Sequence, residues 1–406
     1  MRRVVVTGMG QHTALGDEPA AVFDAILADA TASVAMPHWA RLADMHALVA
    51  APIPGFDGSH IPRKVRRTMG RVALFAASAA EIAVRRAGLD AATLTGGRTA
   101  VVAGSSAGSG QAEEEFWAHL HTTGSARGLK STLFFQAMAH TCATNIALYL
   151  GVTGEVIATN AACASSSQAI GVGAERIRLG RADVVIAGGA EELHLSAAVI
   201  FHSLQAASTG FNDRPRETPR PFDAGRDGIV VGEGAGMLVL EEREHALARG
   251  APILAELLGF GTTCDAANMA NPEPGGIVEA MRRCLADAGI SAGDVDYVNA
   301  HATATRAGDA AEADAIWALF GDRVPVSSSK GHLGHTLGAC GAIESILCIE
   351  AMNRSMMPGT RGLSDPDVAP IWLLRGPEPR PLTHVLNNSL ALGGINSALL
   401  FRRADA

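Results

Sequence analysis

The sequence predicts an α/β protein whose sheets are covered by helices on both faces. Three observations predict it. Short apolar runs alternate to the end of the chain with stretches at helical spacing. The runs are near-continuously apolar, as strands buried on both faces are. The 406-residue composition is 48% hydrophobic, 18% charged and only 4% aromatic, with 45 glycines, which fits a large core with many close backbone approaches.

In chain order, RVVVTG is the first strand, followed by a helical pattern at roughly 18–30 and another at 69–88. TAVVAG is the next strand, 139–150 the next helix, and GEVIAT a short strand. Ile170, Ala174, Ile177 and Leu179 recur at helical spacing within 163–180, and Gly180 supplies a stop. ADVVIAGG and GMLVLEE are buried strands. A soft boundary near 245–255 precedes ILAELLGF, so the expected units are 1–250 and 251–406. The second unit runs helix 275–289 after ILAELLGF, strand VDYVNA, helix 308–320, strand VPVSSS and helix 335–353. NNSLALGGIN is read as a glycine-containing turn, and SALLFRR as the last strand.

A net charge of −8 argues against general nucleic-acid binding, so any basic patch must be local. Six cysteines without framework spacing suggest a reducing compartment. MRRVVVTGMG is too weakly apolar for a signal peptide, and no run reaches the roughly 18 apolar residues of a membrane span. The expected location is the cytoplasm. GSSAGSG (104–110) and GEGAG (232–236) lack a following Lys-Ser/Thr, which argues against nucleotide binding. His332, His335 and Cys340 match neither a two-histidine helix nor a Cys-pair finger, so no metal is expected.

The chemistry-bearing residues sit where strands end. Cys163, in TNAACASSS, falls at a turn beside a helix N-terminus, where unsatisfied N–H groups and the macrodipole favour a thiolate. Its Ala and Ser neighbours leave room for a carbonyl to approach. His301 follows VDYVNA directly, with Thr303 and Thr305 after it. VPVSSS ends as a strand and is followed by Lys330, His332 and His335 before the next helix. Reactive groups at the C-terminal ends of strands in an open α/β sheet converge on one crevice. Convergence lifts Cys163 above a merely buried cysteine. ESILCIEAM is read as core.

Four motifs, NAACASSS, NAHATAT, SSSKGHLGH and GGIN, resemble in order those of the condensing enzymes of the thiolase superfamily. The match is best to β-ketoacyl-acyl-carrier-protein synthases of types I and II. RPFDAGRDGIVVGEGAGMLVLEEREHALARGA and TTCDAANM extend it over essentially the whole chain. The resemblance implies a five-layer αβαβα fold of two similar halves, usually a homodimer. It implies that Cys163 takes an acyl group from a phosphopantetheine arm, with no cofactor of the enzyme's own. An enolate formed by decarboxylating malonyl-carrier then attacks, giving a 3-oxoacyl product. By the same resemblance His301 and His335 donate to the malonyl thioester oxygen, and Lys330 pairs with Glu312 in support. Backbone N–H groups of Cys163 and Leu392 form the oxyanion hole, while Thr303 and Thr305 hold the arm. Lys64, Arg67, Arg127 and Lys130 align with the family's docking site for the acidic carrier protein, within the basic stretches PRKVRRTMGR and ARGLK.

The chain departs from the family at His301-Ala302-Thr303, where HGT is usual, and at Leu390–Asn396, where FGFGGTN is usual. Ile229 stands where Phe is common, and Ala107 where a bulkier aliphatic is common. These departures bear on the acyl substrate, fatty or polyketide, and leave the reacting groups intact. A non-catalytic chain-length factor shares the fold but lacks the nucleophile. A thiolase would carry a second reactive cysteine near the C-terminal turn, where this chain has LALGGIN. The partner protomer is either identical or a related ketosynthase-like subunit.

Overall fold

The computed structural model describes residues 2–405. Eleven strands form one mixed sheet: β1 (Val4–His12), β2 (Thr99–Gly104), β3 (Val156–Thr159), β4 (Val184–Glu191), β5 (Gly234–Glu242), β6 (Ala255–Cys264), β7 (Tyr297–Asn299), β8 (Pro325–Ser327), β9 (Trp372–Leu373), β10 (His384–Ala391) and β11 (Ile395–Arg403). Their spatial order is β9-β8-β7-β10-β11-β6-β1-β5-β4-β2-β3. From each outer side inward the pattern repeats. β3, β2 and β4 run parallel, then β5 and β1 pair antiparallel. β8, β7 and β10 run parallel, then β11 and β6 pair antiparallel. The two series meet in a short antiparallel contact, Val5 with Glu256 and Val6 with Ala255.

Seven helices matter for the site: α1 (Arg71–Ala87), α2 (Thr141–Leu150), α3 (Ser165–Arg178), α4 (Leu195–Ser203), α5 (Pro274–Ala288), α6 (Arg306–Phe320) and α7 (Cys340–Arg354). α3 and α7 lie between the two halves of the sheet. Ile170, Ala174 and Ile177 of α3 and Ile343, Ile346 and Leu347 of α7 pack with Val102, Leu240, Leu257, Val385 and Leu399. α1 and α2 cover the outer face of the first half through Phe75, Ala79, Ala143 and Ile146. α5 and α6 cover the outer face of the second through Ile277, Met281, Ile316 and Phe320. The layers therefore read α-β-α-β-α. Each fully buried Ile or Leu in the central layer contributes about 1.5–3 kcal/mol of transfer free energy, so this layer holds the halves together.

The central helices touch at their N-terminal ends. A Cβ at Gly341 would come within 2.8 Å of the Ser167 Cβ, so only glycine permits this approach. That contact brings the first turns of α3 and α7 together, which is where the chemistry lies.

One expected turn is in large part a strand. β10 begins at His384, and only Leu392, Gly393 and Gly394 make the bend into β11, the two glycines at φ +89° and +72°. The polar run Asn387-Asn388-Ser389 hid it, because buried central strands are ordinarily apolar. Here the two asparagine side chains have partners. Asn387 Nδ2 donates to the Gly341 carbonyl at 3.0 Å, and Asn299 Nδ2 donates to Asn387 Oδ1 at 2.9 Å. Helices Gly110–Thr123 and α4 were not expected, since their exposed apolar residues blur the periodicity. Among the described residues no helix is long and apolar enough to cross a membrane.

Candidate active site

Cys163 lies two residues ahead of α3, after β3, and Ala162 before it holds a left-handed φ of 46°. His301 follows β7, and Ala304 beyond it is at φ 68°. His335 precedes α7, with Leu337 at φ 48°. Such backbone in non-glycine residues persists only where surroundings over-determine it, and it gathers at functional sites. Here the restraints are visible. The His335 N–H donates to the Val230 carbonyl at 2.8 Å, and its own carbonyl accepts from Gly232 at 2.9 Å. Glu312, from α6, accepts from the backbone N–H groups of His301 and Ala302 at 2.8 and 2.7 Å.

These loops bring three groups together. His335 Nε2 is 3.0 Å from Cys163 Sγ, and the His301 and His335 rings stand edge to face with centroids 5.0 Å apart. All three are buried at the end of a cavity of about 490 Å³ whose lining includes Thr303, Thr305, Ile229, Leu390, Leu392, Phe201 and Met269. Thr303 and Thr305 hydroxyls are 3.2 Å apart on one wall.

The electrostatics differ from the sequence expectation at one point. A helix N-terminus was expected to depress the Cys163 thiol, yet burial pushes it up to about 12. The Lys330 ammonium and the backbone N–H groups of Cys163 and Leu392 pull the other way without overcoming desolvation. Those two N–H groups are near enough to the sulfur to favour its thiolate. His301 and His335 are both held well below the ordinary imidazole range, first by burial and then by Lys330. Both rings are neutral, and the His335 tautomer decides whether its Nε2 donates to or accepts from Cys163 Sγ.

Lys330 corrects a second expectation. Its ammonium is ion-paired with Glu344 of α7, not with Glu312, whose carboxylate is committed to backbone N–H groups and to Asn388 at 3.2 Å. Burial acts to lower Lys330, but Glu344, with smaller contributions from Cys340 and Glu312, outweighs it and raises it. Burial likewise pushes Glu344 up, to about 7, against the pull of Lys330. Glu344 belongs to ESILCIEAM, read as core from sequence. A glutamate at a core-facing helical position, following a buried lysine, was the available signal. Cys340 was also missed as a site neighbour: its thiol donates to the Cys163 carbonyl at 3.3 Å.

Other expected residues divide. Ile229 and Leu392 line the cavity, whereas Ala107 does not and is exposed on the monomer surface. Lys64, Arg67, Arg127 and Lys130 are exposed, with Lys130 paired to Glu115 at 2.9 Å. Arg71, in the same basic stretch, turns inward and grips Glu233 with two hydrogen bonds of 2.9 and 2.7 Å. His332 is structural: its ring nitrogens reach the carbonyls of Ala30 (2.8 Å) and Gly359 (3.4 Å).

The family Beta-ketoacyl synthase, N-terminal domain, matches residues 1–246, and Beta-ketoacyl synthase, C-terminal domain, matches residues 254–364. The chain belongs to the β-ketoacyl synthase family. It is 36% identical to nodulation protein E of Rhizobium meliloti and 35% identical to 3-oxoacyl-[acyl-carrier-protein] synthase 1 of Escherichia coli, over 99% of each chain in both cases. A solved β-ketoacyl synthase from Burkholderia phymatum superposes over 100% of both chains with a TM-score of 0.96 and 44% identity. The ishigamide ketosynthase/chain length factor superposes over 99% of both chains with a TM-score of 0.91 and 30% identity. The five layers are thus the thiolase-like ketosynthase fold, and the β-ketoacyl synthase is a condensing acyltransferase.

Proposed function

We propose that this β-ketoacyl synthase elongates an acyl chain by decarboxylative Claisen condensation with malonyl-acyl-carrier protein. The observation that carries the proposal is Cys163 Sγ 3.0 Å from His335 Nε2, with His301 beside it and both rings neutral. The Cys163 thiol loses its proton as its sulfur attacks the carrier-bound thioester, releasing the carrier thiol and leaving an acyl-enzyme. The backbone N–H groups of Cys163 and Leu392 hold the tetrahedral oxyanion. Malonyl-carrier then enters, and neutral His301 and His335 donate to its thioester oxygen as CO₂ leaves and enolate charge develops there. Neutrality matters because a donor that keeps its own proton stabilises an enolate without quenching it. The enolate carbon attacks the acyl-enzyme, and Cys163 departs with the 3-oxoacyl product formed on the carrier.

In this reading Glu312 positions His301 and Lys330 supports the site from behind. Thr303 and Thr305 hold the phosphopantetheine arm, the only prosthetic group required, and it belongs to the carrier. Lys64, Arg67, Arg127 and Lys130 receive the acidic carrier. Residues 1–250 supply the nucleophile and 251–406 the two histidines. Six free cysteines support a reducing, cytoplasmic setting. A dimer is proposed through the sheet edge at β3, whose Val156 is 42% exposed and would otherwise offer an open template. The partner is a second copy or a related subunit; one structural neighbour is a ketosynthase in complex with its chain length factor. A chain-length-factor role for this chain is the weaker reading, since Cys163 and both histidines are in place. Intact-mass measurement after incubation with a panel of acyl-carriers tests the proposal: an acyl adduct is expected, and its loss in Cys163→Ala locates it.

A further inference from the structure

Cys163 Sγ and one nitrogen each of His301 and His335 all lie within 4.8 Å of one another, and all three side chains are buried. One sulfur and two neutral imidazoles are the donor set that zinc prefers, in a tetrahedron whose fourth position stays open to solvent or substrate. We propose that this trio is also a zinc site, and that Zn²⁺ bound there is a reversible inhibitor that excludes the acyl thioester.

The Cys163–His335 edge of the site requires little movement. Ideal Zn–S and Zn–N lengths at a tetrahedral angle place sulfur and nitrogen about 3.6 Å apart, so the 3.0 Å contact between Cys163 and His335 opens by about 0.6 Å. Access is through the cavity that ends on these residues. Cys163, His301, His335 and Leu392 line the same cavity, which leaves room for a fourth ligand from solvent. Binding breaks the Cys163 S–H bond, forms a Zn–S bond and releases one proton to solvent; nothing is oxidised or reduced. Lys330 opposes a cation here, but Glu344 and Glu312 face the same ammonium and offset it. His301 also lies within 4.8 Å of Cys340 and Glu344, a second trio of possible ligands. Glu344 is already committed to Lys330, so the Cys163 trio is the better site.

The test uses Co²⁺ as a spectroscopic stand-in for Zn²⁺ on the full-length protein. One equivalent is expected to give a near-ultraviolet sulfur-to-cobalt charge-transfer band with intense visible bands of tetrahedral cobalt, both bleached by Zn²⁺. Alkylating Cys163 with iodoacetamide, or replacing it with Ala, should abolish the charge-transfer band. His301→Ala should weaken metal binding at least about tenfold, since losing a ligand costs no less than losing a partner behind one. Thermal melts of each variant report whether it is folded. Because alkylation and spectra need no turnover, the result stands apart from the condensation reading: cobalt binding in an inactive protein would fault that reading alone. A charge-transfer band that survives in Cys163→Ala, or octahedral cobalt spectra in the wild type, would overturn the zinc site.

Discussion

Glu344, in the second turn of α7, is the ion-pair partner of Lys330, and the two side chains are only 3% and 1% exposed. The pair sits directly behind the histidines, and Ser329 Oγ adds a 3.4 Å hydrogen bond to Glu344. Buried pairs are costly to break from one side, because the remaining charge is left without a partner. Glu344→Gln is therefore expected to destabilise the fold by about 3–5 kcal/mol. Lys330→Met with Glu344→Leu together should cost clearly less than the sum of the single changes. Urea unfolding of the wild type, Lys330→Met, Glu344→Leu and the double variant measures the coupling, and strict additivity would show that the pair is not the unit described here.

The two half-reactions should separate by residue. Cys163→Ala should form no acyl-enzyme and give no condensation. His335→Ala should still take an acyl group onto Cys163 while decarboxylation of malonyl-carrier falls by about 10²–10³, the usual loss for one oxyanion donor. Mass spectrometry reads the first step and CO₂ release the second. Loss of acylation alone in His335→Ala would make that histidine the base for Cys163 instead of an enolate donor.

Stability should carry a pH signature from the neutral histidines. In the folded protein burial keeps His301 and His335 from charging near 6.5, whereas in the unfolded chain they charge there. Below about pH 6.5 the unfolded state binds more protons than the folded one, so each histidine lowers stability as pH falls. Asp309 and Glu344 act oppositely, since burial raises both to about 7 and the folded state holds their protons between their unfolded values and that pH. The two effects partly cancel in the wild type, so a difference measurement is needed. From pH 7.5 to 5.5 the wild type should lose about 1.4 kcal/mol relative to His335→Gln. A difference independent of pH would mean that His335 charges in the folded protein as it does in the unfolded one.

Much of this was legible in the sequence for a definite reason. The strands and helices that follow hydrophobic periodicity, such as β2, β4 and α3, fall within a few residues of their expected places. Cys163, His301 and His335 were visible because each follows a strand and so projects into one crevice. What escaped was polar and buried. β10 carries asparagines where an apolar run was required, and Glu344 hides among Ile343, Ile346 and Leu347. Both depend on partners distant in sequence: Asn387 on Gly341, and Glu344 on Lys330. The thiol pKa escaped too, because burial of Cys163 to 5% exposure is a property of the assembled layers and not of the local turn.

Carrier recognition should be electrostatic. Lys64, Arg67, Arg127 and Lys130 are exposed on a chain of net charge −8, so these cations stand against the overall sign. The apparent KM for carrier-bound substrate is expected to rise with ionic strength, and that for N-acetylcysteamine thioesters to stay flat. Lys64→Glu and Arg67→Glu should each raise the carrier KM by up to about fivefold, the range of an exposed ion pair, with kcat unchanged. Equal salt sensitivity for both kinds of substrate would count against docking at this surface.

Acyl selectivity should follow the cavity wall. Ile229 and Leu392 line the cavity beside Cys163, where the resembled family carries Phe in both places, and they pack in an apolar cluster with Trp39, Phe201, Val231 and Leu337. Replacing two flat rings by branched aliphatics removes rigid walls of the kind that define a narrow slot. An apolar pocket discriminates by only about 1–3 kcal/mol per methylene, so changes of this size are enough to redirect preference. The expected substrate is a polyene, aryl-capped or polyketide acyl chain in preference to an ordinary saturated one. Ile229→Phe should move the preference back toward saturated chains while leaving decarboxylation of malonyl-carrier intact, because residue 229 lies on the acyl side of Cys163 in this reading. Competition between saturated and polyunsaturated or aryl-capped acyl-carriers in one reaction decides the matter. If the saturated chains win by tenfold or more, about 1.4 kcal/mol, neighbouring side chains have refilled the space and the enzyme elongates ordinary fatty acyl groups.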